Sequence, residues 1–246
     1  WSTPTRGILD FPAHALVGFF RNHRLLSSEG HQWRTVRGGS IQYVARLAAR
    51  LQSQGAEIRL AAPVSAIRRQ AGGVIVHTPG ALPEMFDDVV LATHADVSLR
   101  LLADASQAEA STLGAIRFQP NEVVLHSDSR LMPSNRRVWS SWNYVEPDGR
   151  QPDRIALTYW MNSLQPIPAD DPLFVTLNAT SSVRPDLIHD VTTFRHPMFD
   201  LGALAAQKRI VEMNGSRNTW FCGAWMRNGF HEDGIATALE TAGALQ

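Results

Sequence analysis

The sharpest apolar pattern in the chain lies near its end. Trp220, Phe221 and Cys222 form a short apolar run that stops at Gly223. A loop follows, and Glu232-Asp233-Gly234 then opens a segment rich in alanine. This order predicts a buried strand, a glycine turn, a loop and a helix whose first turn is acidic. Glycine lets backbone come close to a ligand because no Cβ stands in the way. The amides of a helix N-terminus suit an electron-rich oxygen. Strand–glycine–helix junctions are also ordinary α/β scaffolding, so the pattern alone leaves a ligand site and a plain turn equally open.

Helical spacing recurs further upstream. Leu16, Phe19, Phe20 and His23 follow Pro12 at helical intervals. Ser40 stands as N-cap to a helix with Ile41, Val44, Leu47, Ala48 and Leu51 on one face, closed by Gly55. His94 to Asp104 reads as a short helix, and Leu201 to Met213 as another with Leu204, Lys208 and Val211 on one face. Between them the stretches Ala56–Leu60, Pro63–Ile67, Val74–Thr78 and Phe86–Thr93 read as strands.

Beyond residue 104 the texture changes. Ile116–Ser127, Arg137–Val145, Ile155–Asn162, Phe174–Thr180 and Ile188–Arg195 are strand-like. Polar turn clusters such as Glu146-Pro147-Asp148-Gly149 and Pro166–Pro172 join them. Regular spacing of this kind predicts an antiparallel sheet. Trp139, Trp142, Tyr144, Tyr159 and Trp160 crowd two adjacent strands. Sheet core accounts for most of them, with one or two facing a substrate cavity.

With 246 residues, 44% of them hydrophobic and 19% charged, the chain has the composition of a soluble globular protein of one large or two modest domains. Acids and bases balance at 23 each, which points to neither nucleic acid nor a membrane surface. Lys208 is the only lysine, and the scattered arginines read as codon bias rather than as an anion site. Cys222 is the only cysteine, which excludes a disulfide framework and makes the cytoplasm the simplest setting. No apolar run nears the ~20 residues of a membrane span, and no secretory signal is present. G-x-S-x-G, H-E-x-x-H and paired-cysteine patterns are missing. His231-Glu232-Asp233 are neighbours that point different ways and make no metal site, while His23 and His31 sit beside arginines as surface residues.

The last stretch, NTWFCGAWMRNGFHEDGIATALETAGALQ, resembles the C-terminal flavin-binding motif of the FAD-dependent amine oxidase superfamily. The Gly38-Gly39 segment, the helix after it, Pro63-Val64-Ser65-Ala66-Ile67 and Asp87-Asp88-Val89-Val90-Leu91-Ala92-Thr93 follow one another in the family's order. The resemblance implies an α/β (α+β) fold: an incomplete FAD-binding Rossmann-like domain, residues 31–103 and 200–246, with an inserted, mainly antiparallel substrate sheet, residues 1–30 and 104–199. It puts Gly223 and Ala224 at the ribityl chain, and Glu232, Asp233, Gly234 and Ile235 at the flavin ring and pyrophosphate. It puts Gly38 and Gly39 near the flavin face, the Val64 backbone on the adenine, and Thr93 in the turn against the dinucleotide. Many relatives carry an acid directly after the glycine, where this chain has Ala224-Trp225. The ribityl contact then falls to Glu232 or Asp233, or is absent.

No G-x-G-x-x-G follows a strand in these residues. The family carries that unit ahead of the segments matched here, so the expectation is a piece of a longer FAD oxidoreductase. Such a piece binds FAD, non-covalent in the parent, weakly or not at all on its own. The implied reaction is hydride transfer from a C–H bond of a small-molecule substrate, apolar or an amine, with no catalytic residue named. Two alternatives stand beside it: a flavin-dependent desaturase or isomerase of lipid-like substrates, and a degenerate, non-catalytic binding module. A truncated sheet exposes an edge and apolar surface, which predicts a homo-oligomer.

Overall fold

The computed structural model describes residues 9, 11–22, 24–27, 34–144 and 155–245. His23, His31 and the Glu146–Gly149 turn lie outside these residues. In chain order the first elements are α1 (Ala13–Asn22), α2 (Ile41–Ser53), β1 (Ala66–Gln70), β2 (Gly73–His77), β3 (Glu84–Phe86) and β4 (Val89–Leu91). Next come α3 (Ala95–Leu101), α4 (Gln107–Leu113), β5 (Phe118–His126), β6 (Trp142–Tyr144), β7 (Leu157–Trp160) and the short α5 (Met161–Leu164). The last are β8 (Phe174–Leu177), β9 (Ile188–Pro197), α6 (Leu201–Met213), β10 (Thr219–Phe221) and α7 (His231–Ala244). The result is a mixed helix-and-sheet protein with largely antiparallel sheets. No helix among the described residues is long and apolar enough to cross a membrane.

The chain forms two compact units. One comprises Trp1–Leu9, Leu26–Ile58 and Gln119–His196 and is built on a five-stranded sheet of order β6-β7-β8-β5-β9. Alternation sorts its aromatic residues. Trp139 meets Trp160 and Phe174 edge-on, at 5.3 and 5.8 Å. Trp142 pairs across the strands with Tyr159 and, like Tyr144 two residues on, stays about half exposed.

A polar row runs through the buried side of that sheet. His126 is fully buried, and its Nδ1 accepts from the Asp128 N–H at 3.1 Å. The proton therefore sits on Nε2, which donates to Thr176 Oγ1 at 2.7 Å, and Thr176 is in turn 2.8 Å from Thr158 Oγ1. Burial pushes the His126 pKa below its ordinary value, against the pull of Asp128. The unfolded chain therefore takes up a proton below about pH 6.5 that the native state refuses. Stability from this group is complete above that pH and drains away as the pH falls toward the lower native value. Thermal midpoints between pH 7.5 and 5 should show this slope, and His126→Gln should flatten it. An unchanged slope in the variant would assign it to other groups.

The second unit comprises Asp10–Leu25, Arg59–Phe118 and Pro197–Gln246. It holds an antiparallel β1-β2-β3 meander and a two-stranded parallel pair, β10-β4. A Cβ on Gly73 would lie 2.3 Å from the Phe86 carbonyl, so only glycine lets β3 pass that close. The core gathers Ile67, Val74, Leu91, Phe221 and Ile210 around two small residues of α6, Ala203 and Ala206, which let the helix approach the strands.

One buried ionic cluster ties this unit together. Arg69, with its side chain 1% exposed, binds Asp104 at 2.8 Å and both oxygens of Glu109, and Arg217 also reaches Asp104. Glu109 doubles as the capping-box acid of α4: it accepts from the Ser106 N–H, while Ser106 Oγ accepts from its own N–H.

Several elements depart from the sequence reading. Ala56–Leu60 pairs with no strand among the described residues. Phe86–Thr93 is not one strand: β3 and β4 flank Asp87-Asp88 and belong to different sheets. Ser40 is helical in backbone and makes no side-chain cap. α6 buries Ala203, Ala206 and Ile210, rather than the face with Leu204, Lys208 and Val211, because small side chains fit the close approach. The apolar face of α2 is present as expected, yet none of that helix is buried.

Candidate cofactor site

The parallel pair sets Phe221 beside Leu91, and the Cys222 N–H extends the ladder to the Leu91 carbonyl at 3.2 Å. The turns that leave the two strands, Ala92-Thr93 and Gly223-Ala224, therefore emerge side by side. Ligands of parallel sheets bind at this end of the strands.

The turn after β10 is fixed residue by residue from the helices around it. Asn214 accepts from the Phe221 N–H at 2.8 Å and donates to its carbonyl at 3.1 Å. Thr237 Oγ1 accepts from the Gly223 N–H at 3.0 Å. Gln207 Nε2 donates to the carbonyls of Trp225 and Arg227, at 2.9 and 2.7 Å. Gly223 has φ 150°, and a Cβ there would fall 2.6 Å from Trp225 Nε1. The indole lies on the glycine and donates to the Thr93 carbonyl at 3.0 Å. The need for glycine at 223 thus comes from inside the protein.

Two groups next to it are not used up in this way. The Ala224 N–H has no acceptor among the described residues. Gly234, in the first turn of α7, lies opposite it: a Cβ on Gly234 would be 3.8 Å from the Ala224 nitrogen and would touch nothing closer. A donor without an acceptor, a glycine that packing does not require and the amides that open α7 make a cradle for an electron-rich group. A flavin cofactor fits that donor set.

The other predicted residues fall as follows. Asp233 is nearly buried and its Oδ2 accepts from the Phe230 N–H at 3.0 Å, so it caps its own helix. Glu232 is exposed, and Ile235 is 53% exposed. Thr93 gives its hydroxyl to Ser98, at 2.9 Å, and its carbonyl to Trp225. Val64 and Thr93 line one groove of about 550 Å³ along the edge of β4 that no described strand covers, with Pro63, Ile67 and Leu91. Gly38 and Gly39 belong to the other unit, where φ of 80° and 82° turns the chain into α2. Burial pushes the Cys222 thiol up, which leaves it a structural residue rather than a nucleophile.

Trp225, Thr237, Gln207 and Asn214 escaped the sequence reading as site residues. Only Trp225 left a trace there, as the departure after Ala224. Phe19 of α1 escaped as well; its ring stacks on Phe230, the residue before α7, at 5.4 Å.

The family model for flavin containing amine oxidoreductases matches residues 6–246. The chain belongs to that family. Solved structures agree in fold. A putative protoporphyrinogen oxidase from Exiguobacterium sp. 255-15 is 18% identical with a TM-score of 0.61, over 92% of this chain and 55% of its own. Cyclohexylamine oxidase from Brevibacterium oxydans IH-35A is 13% identical with a TM-score of 0.57, over 84% of this chain and 52% of its own. A CLA-producing fatty acid isomerase from P. acnes is 18% identical with a TM-score of 0.50, over 74% of this chain and 47% of its own. The chain thus spans about half the length of these solved structures. No curated protein sequence matches it.

Proposed function

We propose that this member of the flavin amine oxidoreductase family is the later part of an FAD-dependent oxidoreductase and contacts the cofactor through the Ala224–Gly234 cradle. What carries the reading is the pairing of an acceptor-free Ala224 N–H with a glycine that packing does not demand, at the opening of α7. FAD bound there would supply the redox chemistry, accepting a hydride from a substrate C–H bond. The chain's own work is to hold and to orient. Ala224 and the α7 amides donate, Gly234 leaves room, and Thr237 with Trp225 fixes the turn. No acid or base of the cradle is placed for proton transfer: Asp233 serves as a cap, and Glu232 is solvent-facing.

The uncovered edge of β4 supports the view that cofactor binding needs more polypeptide than this. A two-stranded parallel sheet with an apolar groove along one edge is an unfinished layer, since parallel strands are normally buried on both faces. A glycine-rich βαβ unit is the segment the reading requires, and this chain alone should bind FAD weakly or not at all.

The Phe19–Phe230 stack beside α7 offers aromatic surface that accepts an apolar chain and an ammonium group alike, so it leaves the substrate class open. Absorbance between 300 and 550 nm tests the flavin reading. Flavin bands in the protein extended by the βαβ unit, and none in this chain, are expected. Bands in neither would favour a non-catalytic binding module, and stoichiometric flavin in this chain alone would overturn the severed-site reading.

A further inference from the structure

A tryptophan placed directly after the turn, 4% exposed and bonded to the neighbouring strand's turn, calls for a role of its own. Asn214, Thr237 and Gln207 anchor residues 221, 223, 225 and 227 from within the β10 side of the unit. None of those bonds reaches the turn after β4. The Trp225 indole does: its face covers Gly223 and its N–H meets the Thr93 carbonyl. Thr93 is held on its other side by Ser98, so the indole links two turns that are each anchored to their own side of the unit.

We propose that Trp225 is the positioning residue of the cofactor cradle, fixing the distance between the Thr93 turn and the Ala224 turn. The inference rests on the flavin reading given above. Acting from the protein side, the indole supplies the order that an acid after the glycine would otherwise draw from contact with the ligand.

Trp225→Phe keeps a ring on Gly223 and removes only the N–H. In the unloaded protein the two turns can relax and the Thr93 carbonyl can find water, so the thermal midpoint should move little. FAD must restore the native spacing when it binds, and its affinity should fall about tenfold, the scale of one lost buried hydrogen bond. At saturating FAD the flavin absorption and visible circular dichroism should also change, because the ring sits against a displaced turn. The comparison is Ile210→Val, a core change in α6 that lowers stability without touching either turn. Weaker binding and an altered spectrum in Trp225→Phe, with native values in Ile210→Val, are expected in the complete, FAD-loaded protein. Equal behaviour of the two variants would overturn the positioning role. Failure of the native protein itself to take up FAD would instead overturn the flavin reading on which the role depends.

Discussion

Gly234→Ala is expected to leave the unloaded protein as stable as the native one or more so, while cutting FAD affinity by at least tenfold. Glycine inside a helix costs about 0.5–1 kcal/mol relative to alanine. Position 234 lies within α7, and an added Cβ would meet nothing of the protein closer than 3.8 Å. Folding therefore gains from the methyl group. A ligand seated on the Ala224 N–H would lose the space the methyl fills, and a tenfold loss corresponds to about 1.4 kcal/mol. The two effects have opposite signs, so thermal melts of the free protein and FAD titration of the complete one separate them. Lowered stability with unchanged FAD binding would mean that position 234 serves packing alone. Gly223→Ala offers no such separation, since the indole and the φ of 150° penalise it in the free protein already.

The largest stability effect should come from Arg69→Met. Breaking a buried ion pair on one side typically costs about 3–5 kcal/mol, because the partner charge stays buried. Here two carboxylates lose the Arg69 guanidinium: Glu109, whose side chain is 8% exposed, and Asp104, at 22% exposed, which keeps its pair with Arg217. Two to four degrees per kcal/mol puts the drop in thermal midpoint on the order of 10 °C. Acid titration gives the signature. Burial pushes both carboxyls up, but Arg69 outweighs it and holds each below its ordinary value. The stability they contribute is therefore present above about pH 4 and is lost as the pH falls toward the lower native values. Without Arg69 the buried carboxylates gain from protonation, so the gap between variant and native protein should narrow below about pH 4. A gap independent of pH would mean that Arg69 acts through packing of its stem.

The helices and the sheet strands were largely legible in the sequence. The pattern placed α6 at Leu201–Met213, β8 from Phe174 and β9 from Ile188, because alternation and helical spacing are local properties. What was not legible depends on partners. Ala56–Leu60 has the composition of a strand, but a strand is made by the backbone it bonds to, and pattern says nothing of that. α4 was missed although Ser106 and Glu109 carry a capping box, since its seven residues, QAEASTL, hold a single large apolar side chain and show no apolar repeat. The face of α6 was misread because alanine is a weak hydrophobic signal, while at a helix–strand contact its small size decides. In the site, the glycines announced themselves. The reasons for them did not: Gly223 answers to an indole two residues away, and Gly234 answers to nothing in the protein.

The pairing of β4 with β10 also governs how the chain can assemble. Val89 and Thr219 are paired, yet all five strands of the larger sheet lie between them along the chain. Contacts of such wide sequence separation are slow to form, and closing a long flexible loop costs about 0.6 kcal/mol more for each doubling of its length. A sheet that folds first shortens the effective loop. Ribosomal synthesis delivers β4 before the intervening sheet and β10 after it, so that sheet has time to form before the closing partner emerges. Refolding from denaturant, with every segment present at once, should be slower and more prone to aggregation than folding during synthesis.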